Sequence, residues 1–132
     1  MSNSDSGPWP TGLFAITLFT EDLDSSKEFY QRAFGLPIVY QDPNSAVFRF
    51  GDTLVNLLQI AQAGELVAPA RVAEREAGTR FVFTIHVDNV DATCAALALR
   101  GVKLLNGPMD RPWGIRTASF MDPAGYIWEV AK

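Results

Sequence analysis

Glu129 is the residue with the clearest capacity for chemistry. It lies in a predicted strand over residues 126–131 whose other members are mostly apolar. A carboxylate in such surroundings can act as a general acid or base, because burial raises its pKa towards a useful range. A structural acid, hydrogen-bonded to Asn56 or to a hydroxyl such as that of Thr17, is the alternative. The residues alone leave both interpretations open.

His86 is the chain's one histidine, near the end of a predicted strand over residues 80–87. Strand alternation places it on the same face as Val82 and Thr84. It is therefore a candidate proton shuttle or ligand contact. The structural alternative is a hydrogen bond to the backbone near the turn at Asp88.

The sequence PWGIR holds a tryptophan and an arginine ahead of a long predicted strand. Trp113 can stack on a planar ligand, because an exposed loop tryptophan otherwise leaves apolar area in water. Its alternative is a packing anchor for the loop. Arg116 can clamp a carboxylate or phosphate of a ligand through two hydrogen bonds. Its alternative is an ion pair with Asp110 or Asp122.

Other reaction types have little support in the sequence. Ser119 and Cys94 show no base partner, so nucleophilic catalysis is not indicated. Neither a glycine-rich phosphate loop nor a dinucleotide fingerprint is present. With a single cysteine, the chain can form neither a disulfide framework nor a cysteine zinc site by itself. This cysteine usage fits a reducing compartment, and we expect a cytoplasmic protein.

Composition limits the classes of partner. The formal charge of −4 and the pI near 4.8 provide no basic surface, so we expect neither nucleic acid nor membrane as a partner. No apolar run approaches the roughly 18–20 residues of a membrane span. At 132 residues and 48% hydrophobic content, the chain suits one domain, and residues 1–12 suit a flexible polar tail.

Two units of the same order must position the candidate residues. Module 1 (residues 13–60) is predicted to have a helix capped by Asp22 or Asp24 and ended by Gly35. Module 2 (residues 80–132) has a helix over residues 90–99, capped by Asp88 or Asn89. The predicted strands of the two modules are 13–19, 38–41, 46–50, 53–60, then 80–87, 103–105, 115–121 and 126–131.

The linker over residues 61–79 lacks strand character and is predicted to contain a short surface helix over residues 70–77. The predicted order is therefore β-α-β-β-β, repeated once. Because the chain is too short for two independent domains, the two modules must share one core. The fold class is α+β, and a half-barrel used twice would enclose a single cavity.

Three segments of the sequence resemble one known family. They are DLDSSKEFYQRAFGL, HVDNVDA and PWGIRTASFMDPAGYIWEV. They are similar to the vicinal oxygen chelate superfamily, which includes glyoxalase I, extradiol dioxygenases, fosfomycin-resistance enzymes and bleomycin-resistance proteins. The resemblance extends over residues 13–130. It implies two βαβββ modules whose mixed sheets curl into a funnel, often completed by a homodimer.

The resemblance also implies where metal ligands would lie. In metal-dependent members, they occupy the positions of Ala15, Asn56, Val82 and Glu129. Alanine and valine offer no lone pair, and one carboxylate with one amide is a poor site for a divalent cation. His86 lies about 13 Å along its strand from the position of Val82. We therefore expect no metal and no cofactor.

Two function classes remain after these steps. One is a metal-free binder of a hydrophobic or aromatic small molecule, of the bleomycin-resistance kind. The other is an enzyme of lyase, isomerase or dioxygenase type, with Glu129 as acid or base or within an atypical metal site that uses His86 and a residue of a partner chain. Glu129 is the candidate catalytic residue. The predicted ligand-binding residues are Ala15, Thr17, Phe19, Asn56, Val82, Thr84, His86, Trp113, Arg116 and Glu129.

Overall fold

The structure, a computed structural model, describes residues 12–132. The predicted order β-α-β-β-β occurs twice, with a linker between the repeats. The elements are β1 (Ala15–Thr20), α1 (Leu23–Phe34), β2 (Ile38–Asp42), β3 (Ser45–Phe50), β4 (Thr53–Gln59), α2 (Ala63–Val67), β5 (Val82–His86), α3 (Val90–Leu99), β6 (Leu104–Asp110), β7 (Arg116–Met121) and β8 (Ile127–Ala131).

The strands form two four-stranded mixed sheets, one from each module. Sheet 1 has the order β1-β4-β3-β2, and sheet 2 has the order β5-β8-β7-β6. In each sheet the first and last strands of the module pair in parallel, and the other pairs are antiparallel. This confirms the predicted α+β class with two βαβββ modules, although the sheets do not close into a barrel.

Helix α1 begins and ends where the sequence predicts. The side chain of Asp22 accepts a hydrogen bond from the backbone N–H of Ser25, which satisfies one free donor of the first turn. Gly35 ends the helix in the left-handed region, with φ 65°, where a side chain would be strained. The buried side chains of α1 recur at three-to-four spacing and include Phe29 and Tyr30.

Helix α3 has the predicted bounds and is capped by Asn89, whose side chain accepts from the N–H of Ala92. At its other end, the N–H of Val102 donates to the carbonyl of Leu97, and Gly101 has φ 78°. Caps at both ends thus define the lengths of α1 and α3, and the buried side chains of both helices pack against the sheets.

Trp128 shows that the modules share one core, as predicted. Its ring centroid lies 4.9 Å from that of Phe34 and 5.1 Å from that of Phe50, both of module 1. It also lies 4.6 Å from that of Phe83 in module 2. Trp128 therefore packs on the helix side of sheet 2, and strand alternation turns its neighbour Glu129 to the opposite side.

Two local predictions were wrong. Strand β6 extends well beyond the predicted residues 103–105. It contains Gly107 and Pro108, which normally indicate a turn, and its pairing with β7 shifts register twice to accommodate them. The helix predicted over residues 70–77 is absent from the structure, which has a 3₁₀ turn at Arg75–Ala77. The linker side chains there are mostly exposed, so a helix would gain little packing.

The predicted tail over residues 1–12 lies outside the described residues apart from Gly12. Within residues 12–132, the helices are too short or too polar to cross a membrane.

Candidate functional site

Each sheet has one face that points away from the helices. The opposite faces hold core residues such as Leu18 and Leu57 in sheet 1 and Trp128 and Val130 in sheet 2. Strand alternation and register then define the two outer faces. Face 1 comprises Ala15, Thr17, Phe19, Tyr40, Asp42, Ser45, Val47, Arg49, Leu54, Asn56 and Leu58, and face 2 comprises Val82, Thr84, His86, Asn106, Met109, Thr117, Ser119, Met121, Ile127, Glu129 and Ala131.

Asn56 is at the centre of face 1. It pairs in register with Thr17 on one side and with Val47 on the other. Its side-chain Oδ1 is buried and accepts no hydrogen bond from any residue in the described part of the chain. An unsatisfied buried acceptor costs about 1–3 kcal/mol, so this oxygen requires a donor.

Glu129 has the equivalent position in face 2. It pairs in register with Thr84 and with Ser119. The hydroxyl of Thr84 donates to Glu129 Oε1 at 2.9 Å. One alternative from the sequence was a structural acid bonded to Asn56 or to a hydroxyl such as that of Thr17, and the parallel register of β5 and β8 supplies the hydroxyl of Thr84 instead. The pairs Thr17–Asn56 and Thr84–Glu129 thus occupy the same place in the two modules.

The four positions carried over from the family divide between the two faces. Ala15 and Asn56 lie on face 1, and Val82 and Glu129 lie on face 2. Among residues 12–132, we find no hydrogen bond or ion pair between the two faces. Their convergence on one cavity stays a prediction.

Arg116 lies on the other side of sheet 2, the side of Ala118 and Phe120. Its guanidinium donates to Asp91 at 2.9 and 3.0 Å and to Asp110 at 3.0 Å. These hydrogen bonds and charges raise the pKa of Arg116, and those from Arg116 lower the pKa of Asp91. The ion pair with Asp110 was the predicted structural alternative, and it is confirmed. Arg116 is therefore not placed to clamp a ligand on face 2.

Trp113 lies in the hairpin loop between β6 and β7 and is 70% exposed. The guanidinium of Arg111 lies 6.0 Å from the centre of its ring. Arg111 in turn donates to the hydroxyl of Thr117 at 2.8 Å, at the end of face 2 where His86 and Ala131 pair. The exposure disfavours a packing-anchor role, and the Arg111 contacts hold the loop beside face 2.

The two faces fit a metal ion poorly. Within residues 12–132, no three His, Cys, Asp or Glu side chains group closely enough to hold one. Glu129 is the one carboxylate of face 2, and His86 lies two residues beyond Thr84, about 6.6 Å along the strand. A divalent cation needs at least three protein donors in a catalytic site, and the faces do not supply them.

A cleft of about 200 Å³ lies apart from Asn56 and Glu129, and sequence reasoning missed it. Phe19 is its one lining residue among those predicted to bind a ligand. The linker contributes half of the lining residues, and these have no periodicity that would have indicated a site. The lining residues are Phe19, Glu21, Arg71 to Arg75, Gly78 to Phe81, and Ala124 to Tyr126.

Comparisons with known proteins agree with the fold. A family model described as "Glyoxalase/Bleomycin resistance protein/Dioxygenase superfamily" matches residues 12–130. The uncharacterized protein YraH of Bacillus subtilis (strain 168) is 36% identical over 124 residues, which cover 91% of this chain and 97% of that protein.

Two solved structures are similar in fold. A glyoxalase/bleomycin resistance protein/dioxygenase from Nocardioides has a TM-score of 0.83 and 24% identity, covering 98% of this chain and 87% of the other. A lactoylglutathione lyase from Agrobacterium tumefaciens has a TM-score of 0.74 and 22% identity, covering 92% and 93%. At these identities, the likeness concerns the fold alone.

Proposed function

The chain belongs to the glyoxalase/bleomycin resistance protein/dioxygenase superfamily, and from this membership we propose that it binds an apolar or aromatic small molecule without a metal. The ligand lies against faces 1 and 2. The observation that carries the proposal is the chemistry of the four family positions. Ala15 and Val82 have no donor atoms, whereas Asn56 and Glu129 keep one polar group at the centre of each face.

The surroundings of Asn56 support an apolar ligand. Phe19, Leu54, Leu58 and Val47 belong to the same face and present hydrocarbon or an aromatic ring. Ligand pockets typically combine apolar walls with a few polar groups that fix orientation. The immediate surroundings of Asn56 have this composition, and Arg49 adds one cation to the same face.

The polar groups define what the ligand should carry. The Oδ1 of Asn56 has no donor among residues 12–132, and a ligand N–H or O–H that reached this oxygen would supply one. Glu129 Oε1 already accepts from Thr84, so its carboxylate is oriented and can receive a second donor. We therefore propose a ring compound with at least one hydroxyl, amine or amide N–H.

Acid–base catalysis by Glu129 is the second candidate. The Thr84 hydrogen bond fixes the carboxylate, which is what proton transfer to a bound substrate needs. In a lyase or isomerase of this kind, Glu129→Gln would keep ligand binding and lose turnover. A pure binder would show no turnover in either form.

A ligand screen by thermal shift tests the proposal. The protein is first stripped of metal with a chelator and then screened against aromatic compounds. Hits are titrated against Thr84→Arg, which blocks the exposed centre of face 2, and against Leu99→Arg, a control on α3 where Leu99 is 90% exposed. Binding that survives chelation, fails in Thr84→Arg and persists in Leu99→Arg supports the proposal. Hits that need added metal, or that bind Thr84→Arg normally, overturn it.

We extend the proposal to a cytoplasmic homodimer. Cys94 is buried and unpaired, and burial raises the pKa of its thiol. A protonated, buried thiol is unreactive and suits a reducing compartment. The dimer is inferred from Val39, Tyr40 and Leu105, apolar side chains that the outer strands β2 and β6 expose.

A further inference from the structure

The cleft of about 200 Å³ lies beneath the linker, at one end of the molecule. Residues 71–75 and 78–81 form one wall, and the last residues of β1 with the turn before β8 form the other. Pockets for drug-sized ligands usually measure about 300–1,000 Å³. A cleft of this size suits a single-ring compound.

The floor of the cleft is aromatic and rigid. The ring of Phe81 stacks on that of Tyr126, with centroids 6.0 Å apart and planes 19° from parallel. The Tyr126 hydroxyl accepts from the N–H of Phe19 at 2.9 Å and donates to its carbonyl at 3.0 Å. These two bonds attach Tyr126 to the open edge of β1. The ring is thereby held for stacking before any ligand arrives.

Arg75 fixes the linker over this floor. Its backbone N–H donates to the Glu21 carboxylate at 2.9 Å, and its Nε donates to the carbonyl of Pro123 at 3.0 Å. A Cβ at Gly125 would lie 3.1 Å from Arg75 Cγ, so the absence of a side chain there gives the arginine its room. Both walls of the cleft are therefore joined at one defined point.

Two further arginines, Arg71 and Arg80, line the cleft. Arg71 and Arg80 form no ion pair or hydrogen bond with any side chain among residues 12–132, unlike Arg75. Two carboxylates also line the cleft. That of Glu21 is held by the Arg75 backbone, and that of Glu74 lies on the exposed linker. Three arginines against two glutamates leave a net charge of +1, which favours a monoanion.

The cleft shares Phe19 with face 1, but it lies at the opposite end of sheet 2 from the Trp113 loop. The side chain of Arg75 contacts Met121 at the end of β7, whereas the Trp113 loop precedes Arg116 at its beginning. The five residue steps between Arg116 and Met121 span about 16 Å. The lining includes neither Asn56 nor Glu129.

We propose that this cleft is a second binding site, which takes a small aromatic monocarboxylate. The ring stacks on Phe81 and Tyr126, and the carboxylate pairs with Arg71 or Arg80. An arginine can bind both carboxylate oxygens through two parallel N–H donors, which gives the site its selectivity for an acid over a neutral ring.

Titration of the ¹⁵N-labelled protein with benzoate, followed by amide chemical shifts, tests the proposal. Benzamide is the neutral control for the carboxylate. We expect benzoate to shift the amides of Gly78, Phe81 and Gly125, and benzamide to shift them much less. The double variant Arg71→Gln with Arg80→Gln should bind benzoate at least about five-fold more weakly. Lys103→Gln, an exposed cation outside the cleft, should bind it as the wild type does.

Three results would overturn the inference. One is an equal response to benzoate and benzamide, and another is unchanged affinity in the double variant. The third is a set of shifts confined to face 2, at Thr84 and Ser119, which would reject the cleft as the benzoate site. Shifts confined to the cleft would support this inference and would leave the proposed function to its own ligand screen, because benzoate has no N–H or O–H for Asn56, so the two proposals fail separately.

Discussion

The hydroxyl of Tyr30 donates a 2.6 Å hydrogen bond to the buried carboxylate of Asp122. The partners are 92 positions apart, on α1 of module 1 and in the turn between β7 and β8 of module 2. The same hydroxyl accepts from Trp128 Nε1 at 3.0 Å. The other oxygen of Asp122 accepts from the N–H groups of Ala124 and Tyr126. A satisfied buried polar network thus joins the two modules, and Tyr126 is also the floor of the cleft.

Tyr30→Phe should lower the free energy of unfolding by about 2–4 kcal/mol. The substitution removes a hydrogen bond to a carboxylate and leaves the buried Trp128 N–H without a partner. Urea denaturation measures the change. Tyr40→Phe is the matched control, because Tyr40 is 58% exposed and its hydroxyl reaches only Asp42. The control should change by less than about 0.5 kcal/mol, and an equal effect of both variants would contradict the network's role.

Asp122 should make stability depend on pH in an unusual direction. Burial raises its pKa above the ordinary value of 3.8, although hydrogen bonds from Tyr30 and the backbone oppose the shift. When the pKa of an acid is higher in the folded state, its protonated form stabilises the fold. This contribution is complete at pH values below the unfolded pKa and is lost as pH rises through the folded pKa. As pH rises above about 4, the wild type should therefore lose stability relative to Asp122→Asn, measured as the free energy of unfolding.

Asp42 provides the opposite control for that experiment. Hydrogen bonds lower the pKa of Asp42, and the largest effect comes from the backbone N–H of Asn44. Its contribution to the stability of the fold is therefore present above the unfolded pKa and is lost as pH falls. As pH rises, the free energy of unfolding of the wild type should increase relative to that of Asp42→Asn. Denaturation curves at several pH values would reject the assignment if both differences had the same sign.

The sequence predicts features that depend on local patterns. Local spacing limits the helix caps to Asp22 or Asp24 and to Asp88 or Asn89, and it predicts the helix end at Gly35. Strand alternation places Trp128 and Glu129 on opposite faces. The Tyr30–Asp122 bond depends on packing between distant segments, which periodicity does not contain. The same limit applies to Glu129, whose face was predictable but whose partner Thr84 was set by strand register.

The irregular segments were hidden for a different reason. Strand β6 includes Gly107 and Pro108, which normally indicate a turn, and its register shifts accommodate them. The linker has no apolar period, so the position of Arg75 is set by its contacts with Glu21 and Pro123. The cleft could not be found without those contacts.

Purified protein should contain no stoichiometric zinc, nickel, manganese or iron. The reason is the donor set, since the positions of Ala15 and Val82 offer no ligand and Glu129 alone cannot replace them. Elemental analysis of protein prepared without chelator makes the measurement. A stoichiometric metal that disappears in Glu129→Gln would contradict the expectation and would favour the atypical metal site.

The protein should be a homodimer at micromolar concentration. Strands β2 and β6 end the two sheets, and they expose Val39, Tyr40 and Leu105 at 49%, 58% and 53%. Outer strands with apolar side chains favour association. Light scattering should give twice the chain mass of 14.5 kDa. Tyr40→Arg should shift the equilibrium towards monomer, whereas Leu99→Arg on α3 should not. A monomeric wild type would count against the dimer.

Trp113→Ala should weaken binding of the small molecule proposed to lie against faces 1 and 2 at least several-fold, while leaving the fold intact. Stacking contributes roughly 0.5–1.5 kcal/mol beyond buried area, and Trp113 is 70% exposed, so little packing is lost. Arg111→Lys is the companion variant, because Arg111 joins the loop to Thr117 and lies beside the tryptophan ring. It should weaken binding less, since the ring remains. Titration of any ligand found by the screen measures all three proteins. Unchanged affinity in Trp113→Ala would show that the ring does not touch the ligand and that face 2 binds without it.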